Sequence, residues 1–564
     1  MNDFDICIIG SGAGGGPVAL TLAQAGYRVV VLEKGPWFTD DDFFKDELAC
    51  CLRTTYTPDL AKEPQVVEVE DDDGNFHARP TDGSRWNFWN GNCVGGSSNF
   101  MSGFFHRMKP VDFKLESTFG PIDGANIADW PISYEDMEPW YDLVESEVGV
   151  SGRVVGHRHA EPRSSDQFPY PPLKEHTIAQ LIDVAGQKLG MTPFPTPRAI
   201  LPYSVGDRNG CSYNGGYCGS TGCSTGAKGS SRAALLNRAV ATGNCEVRPH
   251  SMVKKIQTDA KGKITAVEYI DRNGDLHKVD AQIYVVACQA IETARLLLNS
   301  HGDKHPEGLA NRSGQVGRNL LFAGGGAGSG RLNIKEFDPQ QAQAMMQTNT
   351  FINRALQDWY VIDDKEVGPA RKGGTIDFVH IHPSPVTRAT RQIRGSDGLV
   401  WGKPLKRKLE DHFLGGPVIK IEAFCDWLPV DDCRVTLDPD TRDQWGLPVA
   451  RVRTGFHVRN LQVGWYLAGK GAELLRAIGA EDVVSFASGT PPTNLVAGTC
   501  RFGDDPDTSV LNADCRAHDV ENLYITDGSF MPTGGSVPYT WTIYANAFRV
   551  ASKIVTELGG TRTT

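Results

Sequence analysis

The first 35 residues constrain the fold of this chain more than any other segment does. A short apolar run leads into glycines spaced G-x-G-x-x-G, a helical stretch follows, and a second apolar run ends at Glu33. This order of strand, glycine turn, helix, strand and acidic residue is typical of a βαβ unit that binds a dinucleotide. A glycine-rich turn that binds nothing is the alternative, but it leaves the position of the carboxylate unexplained.

Each glycine of this segment has a separate expected task. Gly10 allows the tight turn, Gly12 lets the backbone approach a pyrophosphate, and Gly15 lets the helix pack closely on the strand. The N–H groups at the start of the helix favour a phosphate, and the carboxylate at the end of the second strand can bond a ribose 2′-OH. The predicted nucleotide site comprises Gly10, Gly12, Ala13, Gly14, Gly15, Glu33 and Lys34.

The composition indicates a soluble globular protein. Of the 564 residues, 40% are hydrophobic and 22% are charged, and this length suffices for two or more domains. A net charge of -11 argues against a nucleic-acid partner. No apolar stretch is long enough to span a membrane, and no signal peptide precedes the first strand, which favours the cytoplasm. Export to the periplasm with a partner that carries a signal would leave the same sequence.

The pattern of apolar residues predicts an α/β fold, α+β overall, in which an inserted domain interrupts the nucleotide-binding domain. Residues 1–320, with a cysteine-rich loop at 210–227, form the first part of the nucleotide-binding domain. Alternating apolar residues predict a substrate-binding domain built on an antiparallel sheet at 321–485. Residues 486–564 return to the first domain. Helical spacing predicts helices at 231–241, 290–299 and 540–557.

Several later segments share their spacing with one protein family: residues 94–98, 285–293, 316–320, 498–503 and 522–549. On these motifs and the N-terminal pattern, the chain resembles the glucose–methanol–choline (GMC) flavoprotein oxidoreductases over nearly its whole length. The resemblance implies a Rossmann-type domain that binds FAD rather than NAD, in an extended form, with the ADP end at the first glycine cluster. It places the isoalloxazine and further FAD contacts at Gly95, Gly96, Ser97, Ser98, Asn99, Val253, Asp527 and Gly528.

The resemblance also bears on how FAD is held. The variant of the family that links its flavin covalently uses a His directly after the Gly-Gly-Ser-Ser stretch. Asn99 stands at that position, and the nearest His is His106. We therefore predict non-covalent, dissociable FAD.

Three cysteines, Cys211, Cys218 and Cys223, lie in one glycine-rich loop. Within the family, the chain is similar to the large subunits of gluconate and sugar dehydrogenases, some of which hold an iron–sulfur cluster in such a stretch. Three thiolates suit a 3Fe–4S cluster, and a small subunit or a cytochrome would then accept the electrons. The alternatives are a disulfide, or three thiols without metal, because the spacing differs from that of ferredoxins and no fourth cysteine lies in the loop.

The chain departs from the family at the catalytic positions. GMC enzymes use a His beside flavin N5, three residues before a Gly-Thr pair, and a second His or Asn further on. Here the first position is Leu495, and the second is Val537 or Pro538. The usual base that takes the hydroxyl proton is therefore missing, and an atypical base or substrate is expected.

Four other residues are candidates for this chemistry. Asn494 can orient a substrate hydroxyl, and Tyr539 can act as acid or base if the site lowers its pKa. His380 and His382 share one face of a strand-like stretch and could reach in from the substrate domain. An exposed pair of strand residues is the alternative interpretation of these two histidines.

The function that follows is an FAD-dependent dehydrogenase or oxidase that acts on a CH–OH, or a related C–H, donor. A hydride passes to flavin N5, and the electrons pass to an acceptor other than NAD. Apolar residues at the two catalytic segments predict a donor less polar than a free sugar, such as an alcohol, a glycoside or an aryl-bearing compound. The alternatives are a substrate that needs no enzymic base, a lyase with structural FAD, and a non-catalytic flavin-binding subunit.

Overall fold

The computed structural model describes residues 3–44, 46–48, 54–71, 73–82, 88, 90–213, 221–347, 349–364, 369, 371–381, 384–396, 398–492 and 495–560. The helices in these ranges are α1 Gly15–Gln24, α2 Pro110–Phe113, α3 Leu115–Phe119, α4 Tyr134–Val144, α5 Thr177–Lys188, α6 Asn237–Ala241, α7 Ala290–Asn299, α8 Pro339–Met345, α9 Pro385–Gln392, α10 Gly402–Leu414, α11 Val458–Ala477 and α12 Thr540–Glu557. The strands are β1 Phe4–Ile9, β2 Val29–Leu32, β3 Val66–Glu70, β4 Phe76–Pro80, β5 Phe194–Pro195, β6 Cys245–Arg248, β7 Met252–Thr258, β8 Ile264–Ile270, β9 Leu276–Val279, β10 Ala281–Val286, β11 Leu321–Leu332, β12 Arg354–Leu356, β13 Val361–Ile362, β14 Arg371–Lys372, β15 Gly374–His380, β16 Arg394–Gly395, β17 Gly398–Leu399, β18 Val418–Asp426, β19 Arg434–Arg442, β20 Pro448–Arg453, β21 Ala480–Ala487, β22 Val496–Ala497 and β23 Leu523–Ile525.

A parallel sheet of five strands, in the order β23-β10-β1-β2-β6, forms the centre of the first domain. Its strands are short apolar runs because helices or loops cover both faces, and β2 is buried at all four residues. Strand β23 comes from the end of the chain and pairs with β10, so the two ends of the sequence complete one sheet. The predicted Rossmann-type fold is confirmed.

Helices pack on this sheet where the sequence places them. Helix α12 lies against α1 and α4 and buries most of its length. Helix α4 begins with the capping box that Ser133 and Asp136 form. No helix in the described ranges combines the length and the apolar character that crossing a bilayer requires.

An antiparallel sheet, in the order β21-β11-β18-β15-β12-β5, forms the centre of the second domain. Helix α11 packs on one face of it. The helix approaches closely because glycines meet at the contact: a Cβ on Gly326 of β11 would overlap the carbonyl oxygen of Gly464 of α11. The opposite face of the sheet is directed towards the first domain.

One segment of the range 1–320 packs with the second domain. Strand β5 pairs with β12 at the edge of the antiparallel sheet, and Ile178 and Ile182 of α5 belong to the same core as α11. The sequence expectation places this segment in the nucleotide-binding domain. An amphipathic pattern shows that a helix has a buried face, but it does not show which core that face joins.

Candidate active site

A cavity of about 340 Å³ runs between the parallel sheet and the antiparallel sheet. Gly10 and Glu33, at the ends of β1 and β2, line it on one side. Residues of β18 and of the segments that hold Leu495 and Pro538 line it on the other side. Ligands of open α/β sheets bind outside the carboxyl ends of the strands, which is where this cavity lies.

Three glycine turns from distant parts of the sequence meet along this cavity. Gly10 has a φ of 95°, and a Cβ there would overlap the carbonyl oxygen of Ala287. A Cβ on Gly96 would lie 3.2 Å from Cα of Gly12, and one on Gly14 would lie 2.6 Å from the backbone nitrogen of Asp527. A Cβ on Gly12 would meet no atom within 4 Å, so this peptide faces open space.

The predicted FAD residues divide into two groups in the structure. Gly15, Gly95 and Asn99 do not line the cavity. Gly15 lies against the carbonyl of Gly10, and Asn99 Nδ2 donates to the carbonyls of Val94 and Gly96 at 2.9 and 3.1 Å, so it holds the turn instead of facing a ligand. The others line the cavity: Gly10, Gly12, Ala13, Gly14, Glu33, Lys34, Gly96, Ser97, Ser98, Val253, Asp527 and Gly528.

The carboxylate of Glu33 is held by hydrogen bonds at the end of β2. Its Oε2 accepts from Ser11 Oγ at 2.5 Å, and its Oε1 accepts from the N–H of Gly35 at 2.9 Å. Burial raises its pKa against the effect of these bonds. Ser11 Oγ also accepts from the N–H of Gly95 at 2.9 Å, so one hydroxyl joins the ribose-side carboxylate to the second glycine turn.

Asp527 fixes the third turn with both oxygens. Its Oδ1 accepts from the N–H of Ser529 at 2.8 Å, and its Oδ2 accepts from the N–H of Gln289 at 3.0 Å and from Thr293 Oγ1 at 2.5 Å. These bonds tie the end of β23 to the start of α7. The side chain therefore positions the peptide of Gly528 on the cavity wall.

The end of the cavity opposite the first glycine turn, here called the far end or substrate end, is mainly apolar. The sequence did not single out two lining residues of β18, Glu422 and Phe424. They alternate with the core residues of β18 and therefore lie on the opposite face of the strand. A large aromatic side chain at Phe424, on a face otherwise mainly polar, is the sequence signal that could have indicated this wall of the cavity. Among the described residues at this end, Glu422 is the titratable one, and Lys420 Nζ lies 2.9 Å from its Oε1. The apolar lining there includes Phe88, Met101, Phe424, Leu495, Val496 and Pro538.

Comparisons with known proteins agree with this geometry. Residues 181–322 and 429–547 match the two models of the family described as GMC oxidoreductase. The chain is 32% identical to 2-methyl-1,2-propanediol dehydrogenase of Mycolicibacterium austroafricanum, over 98% of this chain and 95% of that protein. It is 27% identical to the fructose dehydrogenase large subunit of Gluconobacter japonicus, over 98% of both. The chain belongs to the GMC oxidoreductase family.

Solved structures of the family share the fold. A formate oxidase of Aspergillus oryzae superposes with a TM-score of 0.64 at 14% identity and covers 98% of each chain. This likeness confirms the expected fold class. The family models and the named relatives confirm the expected family and activity, an FAD-dependent oxidoreductase acting on the CH–OH group of a donor. No finding supports the lyase alternative.

The cavity suits FAD at its dinucleotide end. The open space before Gly12 leaves room for a pyrophosphate, and α1 begins at Gly15, so the partial positive charge of its N-terminus favours a phosphate here. Ala13, Gly14 and Lys34 line the same region. The chain therefore holds the residues that this GMC cofactor needs.

Tyr539 does not meet the condition for an acid–base role. It is buried behind the cavity wall, and its hydroxyl has no hydrogen-bond partner within the described residues. Burial, together with the negative charge of Asp426, raises its pKa well above 10. A phenol with a raised pKa stays protonated at neutral pH and is not a base there.

His380 lies on the wrong face of the antiparallel sheet. In the register of β15 and β18, Asp377 pairs with Glu422 and His380 pairs with Ile419, so His380 lies on the sheet face opposite to that of Glu422. Its ring packs on that of His176 with centroids 4.7 Å apart. Burial lowers its pKa to about 3. The other two predicted residues, His382 and Asn494, lie outside the described residues.

The predicted iron–sulfur cluster finds no support. Cys211 and Cys223 pack in one small apolar cluster with Leu173 and Ile200. Cys218 lies outside the described residues. In the part of the chain that the structure describes, no three His, Cys, Asp or Glu side chains are grouped so that they could hold a metal.

Proposed function

We propose that this GMC enzyme oxidises an alcohol that carries an apolar group and passes the electrons to an acceptor other than NAD. The observation that carries the proposal is the far end of the cavity, where apolar side chains surround one carboxylate. Bound FAD would accept the hydride from the donor carbon. A free sugar would leave most of its hydroxyl groups against apolar side chains without hydrogen bonds, which is costly.

We assign the role of proton acceptor to Glu422. By the family spacing, the positions for this task hold Leu495 and either Val537 or Pro538, none of which can take a proton. The strand places Glu422 on the same face as Phe424, so its carboxylate borders the space where the apolar part of a donor would lie. Lys420 orients the carboxylate through a contact of 2.9 Å. A carboxylate positioned in this way can remove the hydroxyl proton as the hydride leaves.

We further propose that FAD is dissociable. Asn99 is turned into its own loop by its bonds to Val94 and Gly96. His106 is buried and its Nε2 lies 3.1 Å from Oδ2 of Asp377, away from the cavity lining. Flavin that stays with the protein after acid precipitation would contradict this.

The acceptor and the location follow as further proposals. A relative is named as the large subunit of a fructose dehydrogenase, which supports a partner subunit here. We propose that this subunit, or a cytochrome, accepts the electrons. We propose a cytoplasmic location, with the periplasm, reached together with a signal-bearing partner, as the alternative.

The test is the ultraviolet–visible spectrum of anaerobically purified holoenzyme before and after addition of single donors. The donors form matched pairs: short aliphatic or aryl alcohols, and sugars with the same type of hydroxyl. Bleaching of the flavin bands by the apolar member of each pair is the expected result. Bleaching by sugars alone would overturn the substrate class, and a spectrum that no alcohol or sugar changes would overturn the proposed reaction.

A further inference from the structure

The connection between β15 and β18 is much longer than the sheet requires. The two strands are antiparallel neighbours, which a short turn can join. Residues 381–417 lie between them instead and form α9, the small hairpin of β16 and β17, and α10. Neither α9 nor α10 has a buried residue. We call residues 384–415 the basic excursion.

The excursion has a charge opposite to that of the whole protein. It contains seven Lys and Arg residues and three acidic residues, a formal charge of +4, whereas the chain carries -11. Its exposed cations lie on both helices and on the hairpin. They are Arg391, Arg394, Lys403, Lys406 and Arg407.

Large apolar side chains project between these cations. Trp401 is 80% exposed and Leu399 is 75% exposed, at the end of the hairpin and the start of α10. Leu414, Val386 and Ile393 are also exposed. Single exposed apolar residues are common on protein surfaces, but a tryptophan and several aliphatic side chains on one short excursion form an unusual patch.

The excursion is held as a fixed unit on the body of the protein. Lys408 Nζ donates to the carbonyl of Arg394 at 2.7 Å, which ties α10 to the hairpin. The carboxylate of Glu47 accepts from the N–H groups of Val386 and Thr387 at 2.9 and 2.7 Å, so it caps α9 from the first domain. Leu48, next to Glu47, is itself 59% exposed.

We propose that the basic excursion docks on a lipid bilayer whose surface carries anionic headgroups. Tryptophan is enriched at the headgroup level of membranes, and short amphipathic elements with basic polar faces lie in that plane. The Lys and Arg side chains supply electrostatic attraction to the anionic lipid. The contact would be peripheral and does not depend on the proposed substrate or on Glu422.

The arrangement of the patch favours a bilayer over a protein partner. The core of a protein interface is depleted of charged residues, and lysine is depleted throughout such interfaces. Here Lys403 lies two residues after Trp401, and Lys406 and Arg407 lie about one helical turn further along α10. Apolar and cationic side chains therefore alternate along this segment. A bilayer surface accommodates both kinds of side chain at different depths.

The test is sedimentation of the purified holoenzyme with vesicles. One set contains phosphatidylcholine alone, and the other contains phosphatidylcholine and phosphatidylglycerol in equal parts. We expect binding to the anionic vesicles only, with loss at high salt. Each basic residue near such a surface contributes about fivefold in affinity. The triple variant K403E/K406E/R407E loses three cations and adds three carboxylates, so it should bind at least about 100-fold more weakly, and W401S should also bind more weakly.

Matched control variants distinguish loss of the docking surface from the general effects of reversing three charges or removing an exposed tryptophan. The variant K188E/K261E/K304E reverses three exposed lysines elsewhere, and W465S removes a tryptophan that is 51% exposed on α11. Both should bind vesicles as the unchanged protein does, and all variants should keep their flavin. Failure of the unchanged protein to bind anionic vesicles would overturn the proposal. So would equal binding by every variant, or a self-association that the triple variant abolishes while vesicles have no effect.

Discussion

The two ends of the cavity are built in different ways. At the dinucleotide end, backbone turns of Gly10, Gly96 and Gly528 approach one another, and the side chains of Ser11 and Asp527 hold the turns in place. At the substrate end, side chains from β18 and from two segments near the end of the chain form the wall. A site made of backbone tolerates few residue types, whereas a site made of side chains can change its chemistry and keep its fold.

The largest effect should come from adding a methyl group to the backbone end. Gly10→Ala combines a φ of 95° with an overlap on the carbonyl of Ala287. We expect a loss of about 2–5 kcal/mol of stability, with little bound flavin. Gly274→Ala is the control, because its φ is 89° but no atom lies within 4 Å of the added methyl. Flavin absorbance per protein measures the outcome, and full flavin content in Gly10→Ala would show that this turn is dispensable.

Changing the carboxylate of Glu422, at the substrate end of the cavity, should leave the flavin bound but greatly reduce the activity. For Glu422→Gln we expect kcat/KM to fall by about 10²–10⁴, the usual contribution of a positioned base. The flavin content and the melting temperature should not change. Glu473→Gln removes a comparable exposed partner of Lys470 outside the cavity and should leave kcat/KM unchanged. Full activity of Glu422→Gln would exclude Glu422 as the base and leave His382 and Asn494 as the remaining predicted candidates.

Strand β18 also carries a buried carboxyl group outside the cavity lining, Asp426, that should make the fold sensitive to pH. Burial raises the pKa of Asp426 to about 6, against the attraction of Lys372. Because the folded state holds this proton more tightly than the unfolded chain does, stability from this group is present below pH ~4 and is lost as the pH rises through about 6.

The variant Asp426→Asn tests this dependence. Its amide oxygen can still accept from the N–H of Gly534, a bond of 3.1 Å in the present structure. We expect the variant to be more stable than the unchanged protein at pH 8, by about 1–3 kcal/mol, and equal to it near pH 4. Urea unfolding at both pH values measures this. A gain of the same size at both values would indicate a packing effect in place of titration.

The smallest effect should come from the hydroxyl of Tyr539. Tyr539→Phe removes a buried hydroxyl that has no partner among the described residues, so we expect stability to stay the same or rise by about 1 kcal/mol. Tyr141→Phe is the matched variant, since that hydroxyl lies 3.0 Å from Thr542 Oγ1, and it should cost about 1 kcal/mol. Turnover should not change in Tyr539→Phe. A large loss of kcat would restore this residue as a catalytic candidate.

Local elements of the fold were readable from the sequence where one pattern decides them. Helix α7 was expected at 290–299 and α12 at 540–557, and the structure has both. Caps and apolar spacing act over a few residues, so they are visible in the sequence. The expected helix at 231–241 consists of a π-helical turn at Ser231–Leu236 followed by α6, a difference that spacing does not show.

The catalytic candidates were harder to judge from the sequence. Whether a side chain can act as an acid or base depends on its burial and on which face of the sheet it lies. Tyr539 looked available in the sequence, yet the fold buries it beside Asp426. His380 has the right chemistry, but the pairing of β15 with β18 turns it away from the cavity. In the sequence, Glu422 is only a polar residue of a strand. Its place in the cavity depends on the packing of the first domain against that face of the sheet.

The amino-acid sequence alone determined the glycine turns, the carboxylate at the end of β2 and the order of the elements that carry them. These features depend on the allowed backbone angles of single residues and on contacts between near neighbours. The tertiary structure decided which side chains share the substrate end of the cavity and which core receives α5. Such contacts join residues hundreds of positions apart, and their burial, which sets both their pKa and their access to a donor, exists only after the two sheets have come together.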